Sequence, residues 1–513
     1  MKLYRNTIFA AVLAIAAACT DLSPEVYTDV RKEDYFQTAS QFSTLIANAY
    51  SQLAGEYGYV YREGYWSLQE YTSDECVVPT RGTDWYDAGV PIMMHTHTWE
   101  TSTRDINNGW SFAYGGVTKC NTVIDNIKSI AGDDYDSWSD AAKAGLAEAK
   151  VLRAFYHLLA MDVYGNVHID DGEREIEQST RKEVFEWIEK EILDNIDAID
   201  NTVRYGSMTR SVAYTILAKM YLNAEVYTGT ARWKDCEEYC DKIINGGYGY
   251  ILNQDYFTTF KADNTNNMEI IFPIVFDAVY ANGNMFHLMT QHYTMQQVYG
   301  FTTETWNGPC TLESFYNKYS DNDLRKDQWF VGPVLDSDGN VIMYTHSSWT
   351  EAQPAIIVPQ VTTIQDPTAN NTFEGARFFK FEVEPGIEHH ANSDFPIYRY
   401  ADILLMKAEA RMRQNGGKAD DAALECANQV HTRAGLPAYT AADLTLDELL
   451  DERGRELAWE GHRRDDLIRY GYFTTKNWEF MSARTADRNL FPIPDWVRDA
   501  SPGVYTQNPG YGN

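Results

Sequence analysis

The chain has 513 residues, with 44% apolar and 23% charged residues, an ordinary globular composition long enough for a large buried core. It carries 74 Asp and Glu against 43 Lys and Arg, a formal charge of −31. That balance excludes a basic nucleic-acid footprint and a polybasic lipid contact, and favours neutral or cationic ligands. Aromatic residues reach 14%, with 35 Tyr and 13 Trp, a bias that suits flat ligand surfaces.

Lys2 and Arg5 precede an apolar run from Thr7 to Ala18, too short to cross a bilayer and suited to a signal peptide over residues 1–18. The run ends in Ala16-Ala17-Ala18-Cys19. Small residues before a cysteine suit lipoprotein processing with acylation of Cys19, although Ala16 stands where that signal usually has Leu. Ala16 and Ala18 also suit simple cleavage and release. Residues 19–39 read as a tether. The remaining cysteines (Cys76, Cys120, Cys236, Cys240, Cys310 and Cys426) form no CxxC pair and read as buried thiols without a structural disulfide.

Helical spacing begins at Ser40, with Phe42, Leu45, Ile46, Ala49 and Leu53 on one stripe. Further helices are expected over Asn108–Ile130, Ser139–Tyr164, Arg181–Ile199, Thr209–Val226 and Trp233–Ile244, alternating small and large residues as tetratricopeptide-like pairs do. Residues 40–254 thus form an N-terminal helical part. From about 255 to 395 the texture becomes loop-rich and aromatic, with a strand-like run over Glu269–Asp277 and a hairpin turn at Asp336-Ser337-Asp338-Gly339-Asn340. Alternating apolar residues suggest a strand over Arg377–Glu384. Helices resume in residues 396–513, including one over Asp447–Tyr470.

Several segments together resemble the SusD/RagB family of surface nutrient-binding lipoproteins. They are Ala147-Glu148-Ala149-Lys150 through Phe155-Tyr156 to Tyr164-Gly165-Asn166-Val167, Ala213 to Ala224 with Trp233, and Tyr398-Arg399-Tyr400-Ala401-Asp402 through Glu409-Ala410 with Arg433-Ala434-Gly435-Leu436. Glu452 to Gly471, Leu490 to Pro494, Gln507-Asn508-Pro509-Gly510-Tyr511 and the start Cys19-Thr20-Asp21-Leu22 complete the pattern. Asn166-Val167-His168-Ile169, Gly454 and Arg464-Asp465 depart from it at framework positions. The resemblance implies a mainly α scaffold of tetratricopeptide-like repeats with a partly β, variable ligand region. It also implies lipid anchoring at the outer membrane and a SusC-like TonB-dependent transporter as partner. The ligand class it implies is oligosaccharide, with peptide or glycopeptide in some branches.

Motifs for catalysis or a cofactor are absent: no Walker A loop, HExxH, GxSxG or EF-hand occurs. Asp336-x-Asp338-x-Asn340 begins like a calcium loop, but Val341 replaces the required Gly and Ser347 the acidic twelfth ligand. His95 and His97 alternate on a strand-like face without a supporting ligand cluster, so no metal is assigned. The charged run from Glu452 to Arg469 reads as an ion network along one helix, among Glu456, Glu460, Arg463, Arg464, Asp466 and Arg469, rather than an active site.

A neutral sugar offers apolar C–H faces ringed by hydroxyls, so its site needs aromatic platforms beside planar polar groups. The segment Asp74 to Tyr86 supplies both, with Trp85 as platform and Asp74, Arg81 and Asp84 as hydroxyl partners. Trp306 in a turn and Arg377 are further candidates, and Trp349 a weaker one. Tyr398, Trp138, Trp187, Trp233 and Trp459 read as packing residues. The expected activity is glycan capture without turnover. A secreted glycoside hydrolase, a repeat scaffold for protein interactions and a peptide-binding relative remain alternatives.

Overall fold

The computed structural model describes residues 38–512 apart from 56, 57, 347, 348 and 370. The signal peptide, Cys19 and most of the tether therefore lie outside the described residues. Thr38 caps the first helix, α1 (Ala39–Tyr50), in a reciprocal capping box with Gln41. Then come α2 (Tyr65–Glu70), α3 (Val90–His95), α4 (Arg104–Ala131) and α5 (Asp140–Tyr164), the last capped by Ser139. Helices α6 (Arg181–Asn195), α7 (Arg210–Leu222) and α8 (Trp233–Ile244) follow. After a loop-rich stretch come α9 (Tyr400–Gln414), α10 (Asp421–Arg433), α11 (Leu446–Leu457) and α12 (Arg463–Arg469).

Helices next to one another in sequence pack on one another: α4 on α5, α5 on α6, α7 on α8, α8 on α9 and α9 on α10. Small residues permit the close approaches. A Cβ on Gly116 of α4 would fall 2.4 Å from the Tyr156 ring of α5. Helix α5 is buried over almost its whole second half, as apolar residues on two of its faces require. Trp459 is wholly buried and Tyr398 nearly so, as packing residues should be. Among the described residues no helix is long and apolar enough to cross a membrane.

The stretch between α8 and α9 holds short strands in two-stranded pairings. The longest pair is β1 (Ile270–Ile274) with β2 (Phe395–Arg399), antiparallel, which brings both ends of the stretch together. The Asp336 turn is a hairpin: its carboxylate accepts the Asp338 and Asn340 amides, and Leu335 bridges Val341. Of the expected strand over Arg377–Glu384 only Arg377–Phe378 is extended and paired, with Trp329–Phe330. Beyond it Lys380 turns inward to an interior carboxylate, which ends the alternation.

The expected helix over Asp447–Tyr470 is two helices. The chain turns between α11 and α12 at Trp459 and Gly461, both left-handed at φ of 61° and 83°. Their amides are taken up by carboxylates from the α2 region. Gly461 donates to Glu70 at 2.6 Å and Trp459 to Glu75 at 3.4 Å. The charged run is structural, but its partners come mostly from elsewhere. Arg399 bonds Glu269, Glu456 and Glu460 at 2.8, 2.6 and 2.7 Å, with every side chain essentially fully buried. Arg325 bonds Asp323, Glu452 and Glu456. Arg469 grips Glu409 with two nitrogens at 2.7 Å, and Asp466 joins Arg453 to Arg469.

Burial alone would raise the carboxyls of Glu409 and Glu456, but the facing arginines outweigh it and lower both to about 2, against an ordinary 4.5. A depressed folded-state value stabilises the fold above the unfolded value and loses that contribution as pH falls toward the folded one. The urea midpoint should therefore fall between pH 4.5 and 2, and Glu409→Gln should flatten part of that slope while lowering stability at pH 7. An unaltered slope in the variant would contradict the assignment. Arg399→Ala removes the cation shared by three buried carboxylates, of which Glu269 and Glu456 keep Arg433 and Glu460 keeps Lys380, and should cost about 3 kcal/mol in urea unfolding.

Candidate functional site

The segment Asp74 to Gly89 runs from the interior to the surface. At its inner end Asp74 takes two bonds from Arg463, at 2.6 and 2.8 Å. Burial would raise the Asp74 carboxyl, but Arg463 outweighs it and holds it below the ordinary value. Val77 then bridges Cys310, and the backbones of Arg81 and Asp84 bond each other across a tight turn. Trp85, Asp87 and Ala88 adopt left-handed φ of 62°, 41° and 55°, conformations that cost non-glycine residues energy. Arg62 holds this strained turn by pairing with Asp87 at 3.1 Å.

Trp85 and Trp306 meet. The Trp85 indole N–H donates to the Trp306 carbonyl at 2.5 Å, and its ring packs against Gly308, where an added Cβ would fall 2.1 Å from it. The Arg62 guanidinium lies over the indole, 5.4 Å from its centroid. Asp84 accepts the Tyr293 hydroxyl at 2.5 Å. Together these side chains, with Glu304 and Thr305, line an open surface cavity of about 350 Å³. Trp85 is only 8% exposed, so it forms a wall, while the half-buried Trp306 and Tyr293 offer more ring surface. Behind Tyr293 stacks Tyr344, centroids 5.7 Å apart, and Trp349 meets Tyr344 edge-on.

Of the six residues expected to contact a ligand, three line this cavity: Trp85, Asp84 and Trp306. The other three are bonded within the protein. Asp74 is paired with Arg463. Arg81 is 2% exposed and donates to the carbonyls of Asn371 and Glu374. Arg377 is fully buried; it donates to Asn307 Oδ1 from Nη2 at 2.7 Å and to the carbonyls of Thr372, Glu374 and Gly375. Burial, then the nearby Arg81, lowers the Arg377 pKa to about 9. Arg377 thus holds Asn307, the left-handed residue (φ 53°) that follows Trp306. These arginines and Asp74 position the segments that carry the lining side chains.

Arg62, Tyr293 and Glu304 escaped the sequence reading because none sits in a motif; the signal available was the aromatic density of the loop-rich region. His95 and His97 are not on one strand face. His95 ends α3 and His97 has φ of 53°. His95 bonds the carbonyls of Cys76 and Glu479, and His97 that of Thr72. Burial lowers both imidazoles, His97 to about 3. Among the described residues no group of three or more His, Cys, Asp or Glu is arranged to hold a metal.

Two family models match the chain. One, described as SusD family, covers residues 286–511; the other, described as starch-binding associating with outer membrane, covers residues 26–222. The starch-binding protein SusD of Bacteroides thetaiotaomicron is 26% identical over 504 residues, spanning 89% of this chain and 86% of that protein. A SusD-like protein of Bacteroides ovatus is 25% identical over 78% of this chain and 76% of its own length. Among solved structures, surface glycan-binding protein A from B. thetaiotaomicron in complex with laminarihexaose aligns with a TM-score of 0.71 at 21% identity. That match covers 92% of this chain and 100% of that one. A SusD superfamily protein from Parabacteroides distasonis reaches 0.73 at 19% identity, with 92% and 99% coverage. The chain belongs to the SusD/RagB family.

Gly308→Ala should push the Trp85 ring outward and raise acrylamide quenching of tryptophan emission with helix content unchanged. Adding Trp85→Phe should remove the difference. Equal quenching in the parent and Gly308→Ala would show that the ring does not rest on Gly308.

Proposed function

We propose that the protein is a surface glycan-binding lipoprotein that captures oligosaccharides and passes them, without turnover, to a SusC-like TonB-dependent transporter. The observation that carries this reading is the cavity at Trp85, Trp306 and Tyr293. Aromatic rings there stand beside Asp84, Glu304 and Arg62, groups that accept and donate hydrogen bonds in fixed directions. Rings bind sugar C–H faces and the polar groups bind hydroxyls. The three charged lining groups sum to one net negative charge, and the whole chain is strongly acidic, which favours neutral sugar over polyanion.

Family membership supports the same reading: a relative is named for starch binding, and a structural neighbour was solved with laminarihexaose. The outer-membrane location follows the description of the matching family, with Cys19 as the acylated residue. The acyl chains would keep the protein beside its transporter.

The test is calorimetric titration of the chain from Thr20 onward with malto- and laminari-oligosaccharides, each mixture then analysed chromatographically. Saturable binding of intact sugar is expected, weakened at least tenfold by Trp306→Ala and also by Trp85→Ala. Shortened products would replace capture by hydrolysis. No heat with any sugar would remove the glycan reading.

A further inference from the structure

We infer that a second cavity, on the other side of the Asp84–Gly89 turn, is a distal subsite for the same glycan, so that the protein selects chains long enough to cross the turn. The inference rests on the capture reading above. This cavity, about 670 Å³, is larger than the first and shares its dividing wall. Asp84 and Trp85 face one side, and Tyr86, Ala88 and Gly89 face the other. Trp85 and Tyr86 are adjacent, with Cα atoms about 3.8 Å apart. The left-handed φ of 62° at Trp85 helps send the two rings into different cavities.

The second cavity, like the first, sets an aromatic ring beside polar groups, with fewer rings and fewer charges. Tyr86 is 55% exposed, large for an aromatic residue. Its hydroxyl and ring edge lie over Gly89, 3.8 and 3.9 Å from where a Cβ would be. Ile92 and Met93 of α3 give an apolar floor beside it. At the edge, the exposed Gln365 offers an amide whose side chain makes no hydrogen bond among the described residues. Arg484 is fixed by two bonds to the Thr96 carbonyl, at 3.0 and 2.8 Å, made by Nε and Nη2, which leaves Nη1 for a ligand. An aromatic ring, an apolar floor, a planar amide and a guanidinium edge make a sugar site, not a crevice left by packing. No carboxylate lines this cavity.

The test measures affinity against length, from disaccharide to hexasaccharide, in both the laminari and malto series. In the parent, affinity should climb beyond the length that fills the first cavity. Tyr86→Ala and, separately, Gln365→Ala should weaken hexasaccharide binding at least fivefold and leave the shortest binding sugar unaffected. Trp306→Ala should weaken every length. Hexasaccharide binding unaffected by both Tyr86→Ala and Gln365→Ala, or an equal loss at all lengths, would overturn the subsite while leaving capture intact. A parent that binds no length would overturn capture and the subsite together. Tyr86 and Gln365 are exposed, so neither substitution threatens folding.

Discussion

The structure depends on a lattice of buried arginine–carboxylate bonds between α9, α10, α11, α12 and the loop-rich stretch that precedes them. Burying one such charge without a partner costs several kcal/mol, so each member forces its neighbours into place. Arg399 illustrates the constraint. It leaves the end of β2 and binds Glu269 from beside β1, Glu456 from α11 and Glu460 from the turn before α12. Lys380 binds that same Glu460 from the far end of the loop-rich stretch. A region poor in regular secondary structure thereby gains a rigid base. Loops that could not pack a core of their own are held by charges they cannot leave unpaired.

The cavity inherits its geometry from that base through two routes. One starts at Arg463, just after the strained Trp459–Gly461 turn, and passes through Asp74 to the Trp85 segment. The other runs through Arg377, which fixes Asn307 and therefore Trp306. Arg377 and Arg81 differ from the lattice arginines, for among the described residues neither pairs with a carboxylate. Carbonyl oxygens and, for Arg377, an amide oxygen accept their hydrogen bonds instead. Such a guanidinium works as a multidentate clamp on loop backbone. It gathers residues 371–375, whose own strand pairing among the described residues is limited to a single bridge between Glu374 and Val358, under the aromatic turn.

Much of this was legible in the sequence, and the failures share one cause. Helices with a strong 3.6-residue period, such as α5 and α8, fell where their spacing put them. The aromatic residues Trp85 and Trp306, some 220 residues apart, were both marked from composition and turn chemistry, and the fold brings them into contact. The errors were polar. Asp74, Arg81 and Arg377 have the chemistry of a sugar site, and a linear sequence does not say whether such a group faces a ligand or the chain's own carbonyls. That choice is made by long-range contacts such as Asp74 with Arg463, 389 residues apart. The same blindness read Glu452 to Arg469 as one self-satisfied helix, because partners on α9, α10 and the loop-rich stretch carry no local signature.

Strain completes the argument. Trp85, Asp87 and Ala88 hold left-handed conformations that their side chains disfavour. That cost is borne by the Arg62–Asp87 pair and by the Trp85 indole bond to the Trp306 carbonyl. What the protein gains is a set of rings already in position before a ligand arrives. A flexible glycan loses torsional freedom when bound, and a receptor that had to order its own loop as well would lose more. On the capture reading, a turn fixed during folding confines the ordering penalty to the sugar, and the two cavities on either side of it are the ones proposed to share a longer chain.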